Sequence, residues 1–149
     1  MITSKTKYAL KALTVLADEK AGNGESLRIE EIAERSGAPK RFLEHILLDL
    51  KRAGLIGSRR GRRGGYELIK DARTISLAVV LRLIDGPMAP LPCLSRNAYR
   101  RCEDCIDEET CRVREVFGGF YSAYVLMIES LTLADLQRDV HQLEQLIEP

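Results

Sequence analysis

No cysteine lies before residue 93 or after residue 111; the four in the chain share that 19-residue window. In a reducing compartment such clustering points to metal or redox chemistry before structural disulfides. No run of eighteen apolar residues occurs, which excludes a membrane-spanning helix. The opening residues, "MITSKTKYALKAL", carry lysines in an amphipathic pattern and no small-residue cleavage motif. They read as a folded helix rather than a signal peptide, and the expected compartment is the cytoplasm. Internal repeats and low-complexity tracts are absent. So is any nucleophile–base constellation, and no enzymatic activity is expected. The stretch "GRRGG" lacks the lysine and the following helix of a phosphate-cradling loop.

What the chain does have is 149 residues, 45% of them hydrophobic and 30% charged. That suits one domain, or one small domain with an appendage, with enough apolar material for a core. The net charge is only +1, but its distribution is uneven: Lys51 to Arg63 holds six basic residues and no acidic one. A local electropositive surface of this kind attracts phosphates.

Apolar spacing predicts a helix over 5–18, a turn-rich connector "EKAGNGES", and a short helix in "LRIEEIAERSG" stopped by Gly37. Arg28 stands where a Ser or Thr N-cap is expected. A further helix follows in "APKRFLEHILLDLKRAG", with Pro39 in its first turn and Gly54 at its end. Phe42, Leu43, Ile46, Leu47 and Leu50 form its core face; Arg41, Glu44, His45 and Arg52 form the other, with Leu48 among them. "LIGSRRGRRGGYELI" reads as a hairpin with an arginine-rich tip, and "ISLAVVLRLIDG" as a helix ended by Gly86 and Pro87. From Cys111 to about Ser130, apolar residues recur every three or four positions, so a long helix is expected. Within it Gly118-Gly119 allows either a close helix–helix approach or a kink. The tail "TLADLQRDVHQLEQLIEP" reads as one more short polar helix.

The expected fold is mainly α with a small β-hairpin: a winged helix-turn-helix followed by a long helix. Arg41, Glu44 and His45 would reach base edges in the major groove, and Lys40 at the helix start would meet phosphate. Arg59, Arg60, Arg62 and Arg63 at the hairpin tip suit a narrow minor groove. In the long helix Val113, Phe117, Phe120, Tyr121, Tyr124 and Ile128 read as a dimer core rather than a cofactor pocket. For His45 a solvated surface role is an equal reading, and His141 reads as simply exposed.

"YALKALTVLA", "IAERSGAPKRFLEHILLDLKRAGLIGSRRGRRGGY" and "TLADL" resemble the Rrf2 family of bacterial winged-helix regulators, which includes IscR, NsrR and RirA. The resemblance spans nearly the whole chain. It implies a homodimeric repressor or activator bound to pseudo-palindromic double-stranded DNA. It also implies a winged-helix head over 1–86, a cluster-binding loop over 87–111, and a dimerisation helix with its tail over 112–149. Arg60 matches the wing arginine that enters the minor groove; Arg41, Glu44 and His45 match the residues that face DNA.

Thiolates are soft ligands for iron–sulfur clusters and for zinc. The spacing C-x8-C-x2-C-x5-C matches neither a zinc ribbon nor a ferredoxin run. By the resemblance, Cys93, Cys105 and Cys111 match the three cluster cysteines, and Cys102 is extra. Arg114 stands where one family member has a ligating histidine, and Tyr8 near where another has a carboxylate. Cys102 is therefore the expected fourth ligand. The expected cofactor is a 2Fe–2S or 4Fe–4S cluster, sensing iron, redox state or nitric oxide. Structural zinc and a Cys102–Cys105 thiol–disulfide switch rank behind it, and a small redox carrier behind those. Glu103, Asp104, Asp107, Glu108 and Glu109 disfavour free thiolates there unless a metal compensates.

Overall fold

The computed structural model describes residues 2–137. Helix α1 (Ser4–Ala21) is longer than its apolar spacing implies. The Thr3 hydroxyl accepts from the Thr6 backbone N–H and sets the start. Ala9, Ala12, Leu13 and Leu16 face the core. Helix α2 (Ile29–Ser36) begins at Arg28 without a hydroxyl cap; instead the Glu31 carboxylate accepts from the Arg28 backbone N–H at 2.7 Å. Gly37, at φ 66°, takes the left-handed turn into the next helix, a conformation that favours glycine.

Helix α3 (Lys40–Arg52) starts one residue after Pro39, which lies just outside the first turn rather than in it. The Pro39 carbonyl accepts from the N–H groups of Phe42 and Leu43 at 3.0 and 3.3 Å. The two predicted faces are present. Leu43, Ile46, Leu47 and Leu50 are fully buried, Phe42 is half-buried against the Tyr8 ring, and Arg41, Glu44, His45 and Leu48 are exposed. Each large core side chain contributes about 1.5–3 kcal/mol by leaving water.

Strands β1 (Ile56–Arg59) and β2 (Gly65–Leu68) pair antiparallel, with Ile56 opposite Leu68 and Arg59 opposite Gly65. A bridge from outside the hairpin was not foreseen: Leu27 and Tyr66 exchange backbone hydrogen bonds at 2.9 and 2.7 Å. This fastens the hairpin to the entrance of α2. A Cβ on Gly65 would sit 2.4 Å from the Leu27 carbonyl oxygen, and one on Gly64 would sit 2.6 Å from that of Arg59. The glycine pair is what lets the backbones come together.

Helix α4 (Leu77–Asp85) is capped by Ser76 and ends at Gly86. The cysteine segment follows, holding a 3-10 turn at Pro92–Leu94. Helix α5 (Arg112–Ser130) is continuous through Gly118-Gly119. Gly118 lies against Leu94, and Gly119 faces open space. After α5 the chain returns to the head: Leu77 N–H donates to the Leu131 carbonyl and Leu133 N–H to the Ile75 carbonyl, each at 2.8 Å. Leu133 is fully buried in the core. The expected polar tail helix is therefore, over Leu133–Gln137, a 3-10 turn docked on α1; its continuation, His141 included, lies outside the described residues.

Candidate DNA interface and cysteine site

The α3 face that carries Arg41, Glu44 and His45 is free of core contacts, and Arg41 lies over the neighbouring Phe42 ring at 5.1 Å. Lys40 is not free. Its Nζ lies 2.6 Å from a Glu30 carboxylate oxygen, which raises the lysine pKa and lowers that of Glu30. At the wing, Arg59 Nε donates to Glu67 at 2.9 Å. Arg60, Arg62 and Arg63 are exposed and, among the described residues, have no carboxylate partner. The Arg62 carbonyl accepts from Arg28 Nη2 at 3.1 Å, so a side chain from the start of α2 holds the tip. Sequence reasoning missed Glu30, Glu67 and this use of Arg28. The one available signal was a long cation at a position that ordinarily takes a short capping residue.

All four cysteines line a single hollow of about 510 Å³ at the start of α5. Cys93 is buried in the 3-10 turn, and Cys102, Cys105 and Cys111 are half-buried; none is disulfide-bonded. The Cys111 sulfur caps α5, accepting from the Arg114 backbone N–H at 3.4 Å. Desolvation, then the neighbouring Cys93 thiol and the nearby charge of Asp104 and Cys105, push the Cys102 thiol up. Arg101 braces the loop from outside: its Nη2 donates to the Cys105 and Ile106 carbonyls at 3.2 and 3.1 Å. The Cys105 thiol beside its guanidinium raises the arginine pKa. Among the described residues no three candidate ligands converge on one point. The sulfurs share a hollow without forming a finished coordination shell. A hollow lined by four soft thiols fits a positively charged, thiophilic metal core.

Helix α5 buries only Val125. Val113, Val116, Phe117, Phe120 and Met127, between 45% and 69% exposed, form an open apolar stripe joined by half-buried Tyr124. Tyr121 and Ile128 sit at its margin, half-buried; Tyr121 lines a hollow with Leu94, Gly118 and Val125 of its own chain. Val79 and Leu83 on α4 are also exposed.

The model of a family described as iron-dependent transcriptional regulators, Rrf2, matches residues 2–139. The chain belongs to the Rrf2 family. Among its relatives is the rrf2-like HTH-type transcriptional regulator of Rhodobacter capsulatus, 59% identical over 137 residues, covering 91% of each chain. The HTH-type transcriptional regulator IscR of Vibrio campbellii is 29% identical over 96% of this chain and 80% of its own. Among solved structures, CymR, the global cysteine regulator of B. subtilis, superposes with a TM-score of 0.73 at 28% identity, covering 92% of this chain and 95% of that one. The expected fold class is thus found, and with it a DNA-binding transcriptional regulator rather than an enzyme. Among the described residues of this Rrf2 protein, no helix is long and apolar enough to cross a membrane.

Proposed function

We propose that this Rrf2 protein is a cytoplasmic homodimeric regulator whose DNA binding is governed by an iron–sulfur cluster held by Cys93, Cys102, Cys105 and Cys111. One observation carries the reading: all four thiols line the same hollow, and one of them caps the helix that bears the open apolar stripe. When bound, the cluster supplies sensitivity to oxidation, nitric oxide and iron supply. The rest is the chain's own work. Residues 1–86 form the reading head: Arg41, Glu44 and His45 face the major groove, Lys40 faces phosphate, and Arg59, Arg60, Arg62 and Arg63 present the wing to the minor groove. Residues 87–111 hold the cluster. Residues 112–149 pair two copies through Val113, Phe117, Phe120 and Tyr124, with Tyr121 and Ile128 at the rim. Two heads related by a two-fold axis read a pseudo-palindromic site. A change at the cysteine hollow acts on DNA by favouring one arrangement of α5, and so of the heads, over another.

The test is anaerobic isolation followed by iron and sulfide assay, visible absorption, and DNA affinity with and without cluster at one stated salt concentration. The reading expects a brown or red protein whose two forms differ in operator affinity. A colourless, metal-free protein with one affinity would refute it. The Cys105 backbone N–H donates to the Cys102 carbonyl at 3.2 Å, a turn that keeps these two cysteines together and favours a second reading, a Cys102–Cys105 thiol–disulfide switch. Mass spectrometry after mild oxidation separates the two readings, because only the switch produces a bridged form that alone changes DNA affinity.

A further inference from the structure

Arg114 lines two hollows at once. Among the described residues lining the cysteine hollow it is the one cation, set among four thiols, Asp104 and Asp107. On its other side is a polar hollow of about 500 Å³ shared with Arg96, Glu108, Glu115 and Tyr121. Its Nε is shut off from solvent and has no hydrogen-bond acceptor among the described residues. A guanidinium N–H in that state carries a desolvation cost that an acceptor would relieve. The same residue's backbone N–H already donates to the Cys111 sulfur.

Four thiolates around a divalent ion or an oxidised cluster core leave about two negative charges on the assembly. Asp104 and Asp107 add to that charge. The geometry points to Arg114 as the positioning residue of this site: it donates hydrogen bonds to the anionic thiolate–metal assembly without ligating the metal. The inference rests on the reading of the cysteine hollow as a metal site and assigns the charge partner that reading lacks. Arginine suits the task because its fork offers five donors and does not deprotonate. It also explains how the hollow speaks to α5. Arg114 lies in the first turn, between Val113 and Val116, where the apolar stripe begins. A filled hollow gives the Nε–H an acceptor and steadies that turn.

The experiment titrates the reduced full-length protein with Co²⁺ under anaerobic conditions, following the thiolate-to-cobalt charge-transfer band, in wild type, Arg114→Met and Arg114→Lys. Arg114→Met is expected to keep the band's position while its cobalt affinity falls about tenfold. Arg114→Lys, which keeps charge but loses the Nε donor, is expected to fall between the two. After cluster reconstitution, the midpoint potential of Arg114→Met is expected below that of wild type, since a lost cation disfavours the added electron. Circular dichroism melts check that each variant is folded. Should the methionine variant fail to fold, the lysine variant decides on the same two readouts. Wild-type affinity together with an unchanged potential overturns the inference. A wild type that takes up no cobalt overturns instead the reading of the hollow as a metal site.

Discussion

The Lys40 ammonium and the Glu30 carboxylate lie 2.6 Å apart, so the leading cation of α3 is engaged by the first turn of α2. A phosphate reaching Lys40 must compete with that carboxylate. Glu30→Gln is therefore expected to strengthen binding to non-specific duplex about two- to fivefold, within what one exposed ion pair is worth. It should also steepen the salt dependence by up to about one counterion. Fluorescence anisotropy across a salt series measures both, and an unchanged slope would mean Lys40 does not meet phosphate.

The same pair sets a pH window. Hydrogen bonding to Lys40 holds the Glu30 carboxyl below its ordinary 4.5, and Glu30 holds Lys40 above its ordinary 10.5. A lowered carboxylate contributes stability above the unfolded pKa and loses it as pH falls through the folded one; a raised lysine does the reverse in base. The difference in urea midpoint between wild type and Glu30→Gln should hence be level through neutral pH and shrink below pH 4.5. A difference that persists in acid would assign the effect to something other than the ion pair.

At the wing the arginines are not equivalent. Glu67 occupies Arg59 at 2.9 Å, whereas Arg60 has no carboxylate partner among the described residues. Arg60→Ala is expected to cost about 1–3 kcal/mol of operator binding, and Arg59→Ala less. Operator titrations at fixed salt check the order. Equal losses would show that Glu67 releases Arg59 on DNA; no loss at Arg60 would remove the wing from the interface.

Gly65 joins the wing to the head. Its missing Cβ makes room for the Leu27 carbonyl, which a side chain would meet at 2.4 Å. Gly65→Ala should break the Leu27–Tyr66 rung and lower stability by about 2 kcal/mol or more in urea unfolding. DNA affinity should fall with it, because the arginine tip loses its anchor. An alanine variant as stable as wild type would mean the rung is dispensable.

Local periodicity carried α3 well: five apolar positions on one face left Arg41, Glu44 and His45 outward, as found. It carried the hairpin equally well, since Ile56 and Leu68 flank a tip of glycine and arginine. Contacts distant in sequence were not legible. Leu27 with Tyr66, Arg28 with the Arg62 carbonyl, and Leu133 with Ile75 each join segments that have no shared pattern. Tyr121 has the spacing of an outward aromatic but lies at the edge of the buried side, because Leu94 returns to pack on Gly118 beside it. The cysteines announced themselves by number; that all four line one hollow depends on the loop's path, which spacing does not encode.

The α5 stripe calls for a partner. Phe120 is 65% exposed and stacks on Tyr124 at 6.5 Å, an arrangement costly in water for a lone chain. Pairing two α5 helices about a two-fold axis would cover both. Phe120→Asp would place two like charges in that seam and is expected to give a monomer by light scattering, with operator affinity lost in parallel. A dimer that survives the charge would place the interface elsewhere, with Val79 and Leu83 on α4 as the next surface to test.

Cys102 decides whether the site is all-sulfur. It shares the hollow with the other three thiols. Asp104 and Asp107 line the same hollow and offer carboxylate donors should that thiol be removed. Cys102→Ala is therefore expected to retain iron at reduced affinity while the absorption and EPR spectra shift toward mixed sulfur–oxygen ligation, since a hard oxygen replaces a soft thiolate. Spectra identical to wild type would take Cys102 out of the ligand set and leave it as a free thiol, which differential alkylation of the cluster-loaded protein would then find.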